Sequence, residues 1–274
     1  MATQARASLS STKGVSRHLS IDPLGVLGVV GAILIWWVIS LGFPPVRVPG
    51  PVLVFQTAID DLFSQPVLDY IGLQGGGFAP NLLYTVTNVL VGLGLGALIG
   101  ASAGLASARL WVLRDLLDPV LMVLGTVPIL VAAPFLLMWF GTVAWAQVLL
   151  VTFYTGGLVA IAGQRAALNL PRVYEDYGAS LGASSSRRFW TIVVPASIPA
   201  LLGGLRVALA ASWGLEAIAE LLGAPLGVGR VVVLLQNVED TPGIMAIILW
   251  LGMIAVVFDF IVVRVVGWVT RWQE

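Results

Sequence analysis

Residues 175–195 read EDYGASLGASSSRRFWTIVVP, a polar, glycine-punctuated stretch inside a chain that is 58% hydrophobic. It holds two acids, two arginines, five serines or threonines and two glycines. The side of a membrane on which this patch lies fixes how every apolar run around it is threaded. Only 10% of the 274 residues are charged, against about 25% in soluble domains, so the chain is an integral membrane protein. Its net charge of zero says nothing of partners, because the distribution of charge matters here and the sum does not. There is no cysteine, which excludes disulfides, thiol chemistry and cysteine metal sites.

A helix needs about 20 apolar residues to cross the hydrocarbon core. Six runs qualify: 24–43, 82–106, 117–140, 143–162, 201–222 and 244–267. The first ends in FPPVRVP rather than in a small-residue cleavage site, so it reads as an uncleaved span. The third and fourth are divided only by the turn at Gly141-Thr142. The expected fold is all-α: a polar tail over 1–22 and one transmembrane domain over 23–274, with both termini on one side.

The positive-inside rule selects that side. With the N-terminus in the cytoplasm, the inner segments hold twelve basic residues: Arg6, Lys13, Arg17, Arg109, Arg114, Arg165, Arg172, Arg187, Arg188, Arg206, Arg264 and Arg271. The outer segments hold two, Arg47 and Arg230. The opening patch therefore falls in the longest inner loop, 163–200.

Gly92, Gly96, Gly100 and Gly104 recur every four residues in the second span, a side-chain-free ridge on which another helix can pack closely. Pro119, Pro128 and Pro134 punctuate the third span, which reads equally as kinked within the bundle or as broken along a pathway. The outer segment 44–79 opens with Pro44, Pro45, Pro49 and Pro51, followed by an amphipathic VLVFQTAIDDLF suited to a short helix along the outer surface. Neither an internal repeat nor a soluble domain is visible.

Within the inner loop, Pro171 and Gly182 bracket a short helix in the usual proline-first, glycine-last order. Tyr174, Tyr177, Gly178 and Leu181 fall at i, i+3, i+4 and i+7, one apolar and aromatic face. Glu175 and Asp176 lie in the first turns, where the helix dipole favours acids. Ser184 caps a second helix that carries Arg187 and Arg188 and is expected to stop at Pro195. This rigid helix–glycine–helix knob has an aromatic stripe with no burial site of its own. An interfacial helix on lipid headgroups and a docking helix for a partner protein both fit it.

These residues resemble the EAA motif of permease subunits of bacterial binding-protein-dependent ABC importers, E-A-A-x3-G-x9-I-x-L-P. Aligned on Gly182, the chain offers Asp176, Tyr177 and Gly178, then Ile192, Val194 and Pro195. Asp replaces the motif's acid, and Tyr and Gly replace its alanines. The flanking runs TVPILVAAPFLLMWFG (126–141) and RVALAASWGLEAIAELLGAPLGVG (206–229) resemble the nitrate/sulfonate/taurine branch, and the likeness covers roughly residues 44–270. The resemblance implies a type I importer permease whose loop is a coupling helix seated in a separate ATPase subunit. Tyr174, Glu175, Asp176, Tyr177, Gly178, Leu181, Gly182, Arg187, Arg188, Ile192 and Pro195 would make up that coupling surface. It further implies a homodimer, two ATPase copies holding ATP and Mg, an extracytoplasmic solute-binding protein, and a bacterial cytoplasmic membrane as the location. Nucleic acid has no place in it. Relatives of this branch take small anions, whereas the charged candidates in the fifth span are acidic, so a small polar solute is expected.

The chain cannot burn ATP itself. A P-loop needs a lysine at the phosphates, and the sole lysine, Lys13, lies in SSTKG with no glycine six residues upstream. Gly100-Ala-Ser102-Ala-Gly104 matches a nucleophile elbow, but the one histidine, His18, lies in the tail and leaves no base for a serine nucleophile. No catalytic, metal or cofactor residue is expected.

Glu216, Glu220 and Asp259 fall within spans, where a charge facing lipid costs about 2.5–3.5 kcal/mol. Trp213, Glu216 and Glu220 share one face of the fifth span. They either line the translocation path, or Glu216 is hydrogen-bonded in the bundle while Glu220 sits at the outer interface near Arg230. Asp259 is expected to pair with Arg206. Intramembrane acids also suit an ion-coupled secondary transporter, the alternative to an ABC permease, although no inverted halves are visible.

Overall fold

The computed structural model describes residues 23–73, 76–126 and 129–271. The polar tail with Lys13 and His18, and Pro128, lie outside them. Helix α1 (Pro23–Leu41) leads through a proline-rich turn to the short α2 (Pro51–Asp60) and α3 (Pro66–Ile71). Then come α4 (Phe78–Arg109), α5 (Trp111–Thr126), α6 (Ile129–Phe140) and α7 (Ala144–Leu168). The knob is α8 (Arg172–Ser180) and α9 (Ser185–Arg188), followed by a π turn (Phe189–Val193), α10 (Val194–Leu221), α11 (Val228–Asn237) and α12 (Thr241–Val269). No strand occurs among the described residues.

Among the described residues, five helices are long and apolar enough to cross a membrane: α1, α4, α7, the continuous Ser185–Leu221 and α12. The third expected span, 117–140, falls instead on two shorter helices, α5 and α6, of 16 and 12 residues. The expected stop at Pro195 does not occur, and the helix runs on from α9 into α10. The π turn explains this: Val194 N–H donates to Phe189 O, an i→i−5 bond, so the ladder is already displaced where Pro195 brings no donor.

Local chemistry sets the helix ends. Gln65 Oε1 caps α3 by accepting from Leu68 N at 2.8 Å, and the left-handed Gly72 ends it. Asp240 Oδ1 caps α12 by accepting from Gly243 N at 3.0 Å.

Helices α4 and α7 run side by side in the same direction. The four-residue glycine ridge makes that possible: a Cβ built on Gly96, Gly100 or Gly104 would overlap Thr155, Gly156 or Ala160 respectively, and one on Gly92 would lie 2.7 Å from Val151. Helix α10 returns against both, closing a core of Val89, Leu93, Val159, Ala208, Leu209 and Trp213. At the end opposite the knob, α2, α3 and α11 gather with the start of α12 over Val54, Leu68, Phe78, Val231, Leu235 and Ile247. Trp250 Nε1 donates to Ala58 O at 2.7 Å and ties α12 to α2 there. Helix α1 buries none of its residues; Trp36 Nε1, donating to Pro49 O at 3.0 Å, fastens its second half to the turn before α2.

Candidate coupling surface and intramembrane polar cluster

The knob is built by its glycines. Helix α8 ends in a Schellman turn: Ala183 N–H donates to Gly178 O at 3.0 Å and Gly182 N–H to Ala179 O at 2.9 Å. Gly182 takes φ +78, and an added Cβ there would meet nothing, so its role is backbone conformation. Gly178 does a different job. Its missing side chain is filled from within the chain, since a Cβ there would lie 2.9 Å from Ile192 Cδ1 and 3.2 Å from Arg188 Cγ. Gly178 is therefore where α8 rests on the π turn.

Other contacts stiffen the unit. Ser184 Oγ accepts from Arg187 N at 3.3 Å, and Arg188 Nη1 donates to Glu175 O at 3.2 Å. Arg109, at the end of α4, donates to Ser185 Oγ and lies 5.6 Å from the centre of the Phe189 ring. A cavity of about 340 Å³ opens beside it, lined by Ala108, Arg109, Ala167, Glu175, Ser185, Phe189 and Val193. In the sequence Arg109 counts only as an inner positive charge; in the structure it ties the end of α4 to Ser185 and Phe189. With Gly178 and Ile192 turned inward, Tyr174, Tyr177 and Leu181 are left 55%, 68% and 70% exposed on the outside of the knob. Asp176 and Arg187 are exposed as well, while Glu175, Ile192 and Pro195 are half-buried.

Trp213, Glu216 and Glu220 are all buried in the bundle. Asn88 Nδ2 donates to Glu216 Oε1 at 2.8 Å and to Gln147 Oε1 at 3.0 Å, and Tyr84 Oη donates to the same Gln147 oxygen at 3.0 Å. Glu216 Oε2 and Trp213 Nε1 are buried without a partner. Glu220 is gripped from two sides: Thr85 Oγ1 donates to Oε1 at 2.6 Å and Gly229 N–H to Oε2 at 2.8 Å. Gly227 N–H donates to Asn81 Oδ1 and Val228 N–H to Thr85 Oγ1, each at 3.0 Å. The carboxylate thus occupies the N-terminus of α11, where backbone donors and the helix dipole favour negative charge. Its neighbour is the backbone of Arg230's helix, and no ion pair to Arg230 forms among the described residues. Asn81, Thr85 and Asn88 recur at i, i+4 and i+7 in α4, a polar stripe that helical period would have revealed in the sequence.

Arg206 and Asp259 pair in bidentate fashion, Nε to Oδ1 at 2.7 Å and Nη2 to Oδ2 at 2.8 Å. No cluster of three or more His, Cys, Asp or Glu that could hold a metal occurs among the described residues.

Residues 70–274 match the family described as binding-protein-dependent transport system inner membrane component. The chain is 26% identical to the taurine transport system permease protein TauC of Escherichia coli (strain K12), over 80% of this chain and 77% of that one. It is 26% identical to the bicarbonate transport system permease protein CmpB of Synechococcus elongatus, over 91% and 88%. With the nitrate import permease protein NrtB of Synechocystis the identity is 24%, over 91% and 94%. Among solved structures, a chain of the MetNI methionine ABC transporter in an inward facing conformation superposes with a TM-score of 0.61 at 17% identity, covering 70% of this chain and 95% of that one. A chain of an amino acid ABC transporter gives 0.58 at 18%, covering 74% and 95%.

Proposed function

The chain belongs to the binding-protein-dependent transport system inner membrane components and is the multi-pass permease subunit of an ABC importer; from that premise we propose how its parts divide the work. The α8–α9 knob lies in the cytoplasm and seats in a separate ATPase subunit, which holds ATP and Mg. The observation that carries this reading is the outward aromatic face Tyr174–Tyr177–Leu181 on a knob braced from behind by Gly178, Ile192 and Arg188. A large apolar face on so small and rigid a unit is suited to a partner that covers it. Arg187, exposed beside it, supplies a cation at the same surface.

Two copies of the chain, each engaging one ATPase, move a small polar solute inward by alternating access after an extracytoplasmic binding protein delivers it. The acids of α10 serve the bundle in this scheme. Glu220 fastens α11 to α4, and Glu216 joins α10 to α4 and α7 through Asn88. Both termini lie with the knob in the cytoplasm.

The test is reconstitution with the cognate ATPase and binding protein in proteoliposomes. Uptake is expected to require all three proteins and ATP, and to stop with vanadate. Uptake by the permease alone along an ion gradient would overturn the assignment. A cysteine at Ser185, labelled only from outside the cell, would overturn the orientation.

A further inference from the structure

We propose that the face of α10 and α12 bearing Arg206 and Asp259 is turned toward water and forms a wall of the solute path, an inference that rests on the permease reading above. The two side chains are 54% and 42% exposed although both helices are apolar spans. At about 1.5 Å per residue, Arg206 lies roughly 18 Å from the start of α10 and 22 Å from its end. Asp259 lies roughly 27 Å from the start of α12 and 15 Å from its end. Measured from the apolar runs 201–222 and 244–267, Arg206 is roughly 8 Å and Asp259 roughly 12 Å from the inner end, and the short Asp259 side chain, with no stem to snorkel, holds the guanidinium at that depth. Lipid on this face would strip water from a guanidinium and a carboxylate that each have one partner, which hydrocarbon does not repay. The bidentate contact uses Nε and one hydrogen of Nη2, and the remaining guanidinium donors are left for water or solute.

The surrounding surface agrees. Gly203, Val207, Ala210 and Gly214, spaced four, three and four residues apart, form one exposed strip of α10 beside Arg206. A Cβ added to Gly203 or Gly214 would meet nothing within 4 Å, in contrast to Gly92, Gly96, Gly100 and Gly104 of α4, whose missing side chains are filled by α7. These two glycines are thus not needed for packing within the chain, and they keep the strip low and wide. Glu216 and Glu220 point away from it into α4, α7 and α11. The charge presented by the strip is therefore a self-neutralised pair with spare N–H donors, which suits a small polar solute carrying oxygen acceptors. Direct packing of a second copy on the strip is less favourable. A second copy packed there would take both ion pairs out of water, a cost that their mutual attraction repays only with further hydrogen bonds.

The chain has no native cysteine, so single cysteines report cleanly. Ala210→Cys, Gly214→Cys and the control Leu98→Cys, an exposed position on α4, are placed in the complete complex and treated with a charged, water-soluble methanethiosulfonate. Ala210→Cys and Gly214→Cys are expected to react about tenfold or more faster than Leu98→Cys, because a thiol in lipid stays protonated. Their rates are also expected to differ between nucleotide-free and vanadate-trapped complexes. Reaction as slow as the control in both states overturns the proposal. Disulfides between copies at these positions would then identify a second copy as the cover, and their absence would identify lipid. Gly203→Cys replaces any variant that fails to assemble. ATP-dependent uptake by the unlabelled native complex is scored separately, so failure of the permease reading is distinguishable from failure of the wall.

Discussion

Gly178 and Ile192 are in direct contact across the knob, with the position a Cβ would take on Gly178 lying 2.9 Å from Ile192 Cδ1. Two positions of the EAA-like pattern, fourteen residues apart, thus form one packing contact. The atom in the way is the tip of a flexible side chain, so a methyl group is accommodated and a larger group is not. Gly178→Ala is expected to retain most ATP-dependent uptake, whereas Gly178→Leu lifts α8 off the π turn and abolishes it. Uptake rates of the two variants in proteoliposomes check this; equal activity would show that the contact does not brace the knob.

Tyr177 is the most exposed aromatic of the α8 face, at 68%. Removing its ring leaves the chain's own packing intact but takes away an anchor for a partner, and such anchors are worth about 2 kcal/mol or more. Tyr177→Ala is expected to weaken ATPase binding by about thirtyfold or more while the thermal midpoint of the isolated permease stays unchanged. Binding of the purified ATPase to permease in nanodiscs measures the first quantity. A fall in midpoint without loss of affinity would place the ring in the fold instead.

Glu220 holds α11 through Gly229 N–H and holds α4 through Thr85. Glu220→Ala leaves the buried Gly229 N–H without an acceptor, at about 1–3 kcal/mol, and leaves Thr85 Oγ1 only its longer bond to Asn81 O at 3.2 Å. The expected result is a clear fall in the thermal midpoint in detergent, with Glu220→Gln intermediate because its amide oxygen satisfies one donor. An unchanged midpoint for the alanine variant would remove the clamp from the account of the fold.

Much of this arrangement was legible in the chain itself, and the exceptions have physical causes. Pro171, Gly182 and Ser184 announced the ends of α8 and α9 because proline, left-handed glycine and a serine cap act locally. Hydropathy located α4, α7, α10 and α12, whose apolar lengths exceed what a bilayer requires. The run through Pro195 was not legible, since a π turn depends on where the displaced ladder can go, and that is settled by packing against α8. The inward direction of Gly178 was equally hidden, because helical period assigns a glycine to a face without saying what fills the gap. Glu220 was recognised as a charge needing a partner. Its partner proved to be the backbone donors at the start of α11, nine residues on, and backbone donors leave no mark in a sequence.

The α4 glycines allow a controlled pair of substitutions. A Cβ on Gly100 would overlap the backbone of Gly156, while one on Gly94, six residues earlier, would meet nothing within 4 Å. Gly100→Ala must push α4 and α7 apart and is expected to cost about 1–3 kcal/mol. Gly94→Ala is expected to be neutral or stabilising by up to about 1 kcal/mol, since alanine loses less freedom in a helix. Thermal unfolding of both variants in one detergent checks the contrast, and equal effects would mean that the ridge is not the contact surface.

Asp61 gives the end opposite the knob a pH dependence. It follows α2, and its carbonyl accepts from Phe78 N at 3.0 Å, joining α2 to the start of α4. Burial, reinforced by the nearby charges of Asp240 and Asp60, pushes its carboxyl up from 3.8 to about 6. A carboxyl that holds its proton more tightly when folded than when unfolded favours the folded state fully below pH 3.8. That contribution is lost as pH rises through about 6. Asp61→Asn, which carries no charge at any pH, is therefore expected to melt above the native protein at pH 8. The gap should close as the pH falls below 4. Because Asp61 is only half-buried, solvent screening keeps the gap small, and its change with pH is the quantity to read. Melting curves of both proteins across that range decide the matter: a gap that stays constant with pH would mean that Asp61 ionises as an ordinary exposed acid and that the substitution acts through packing.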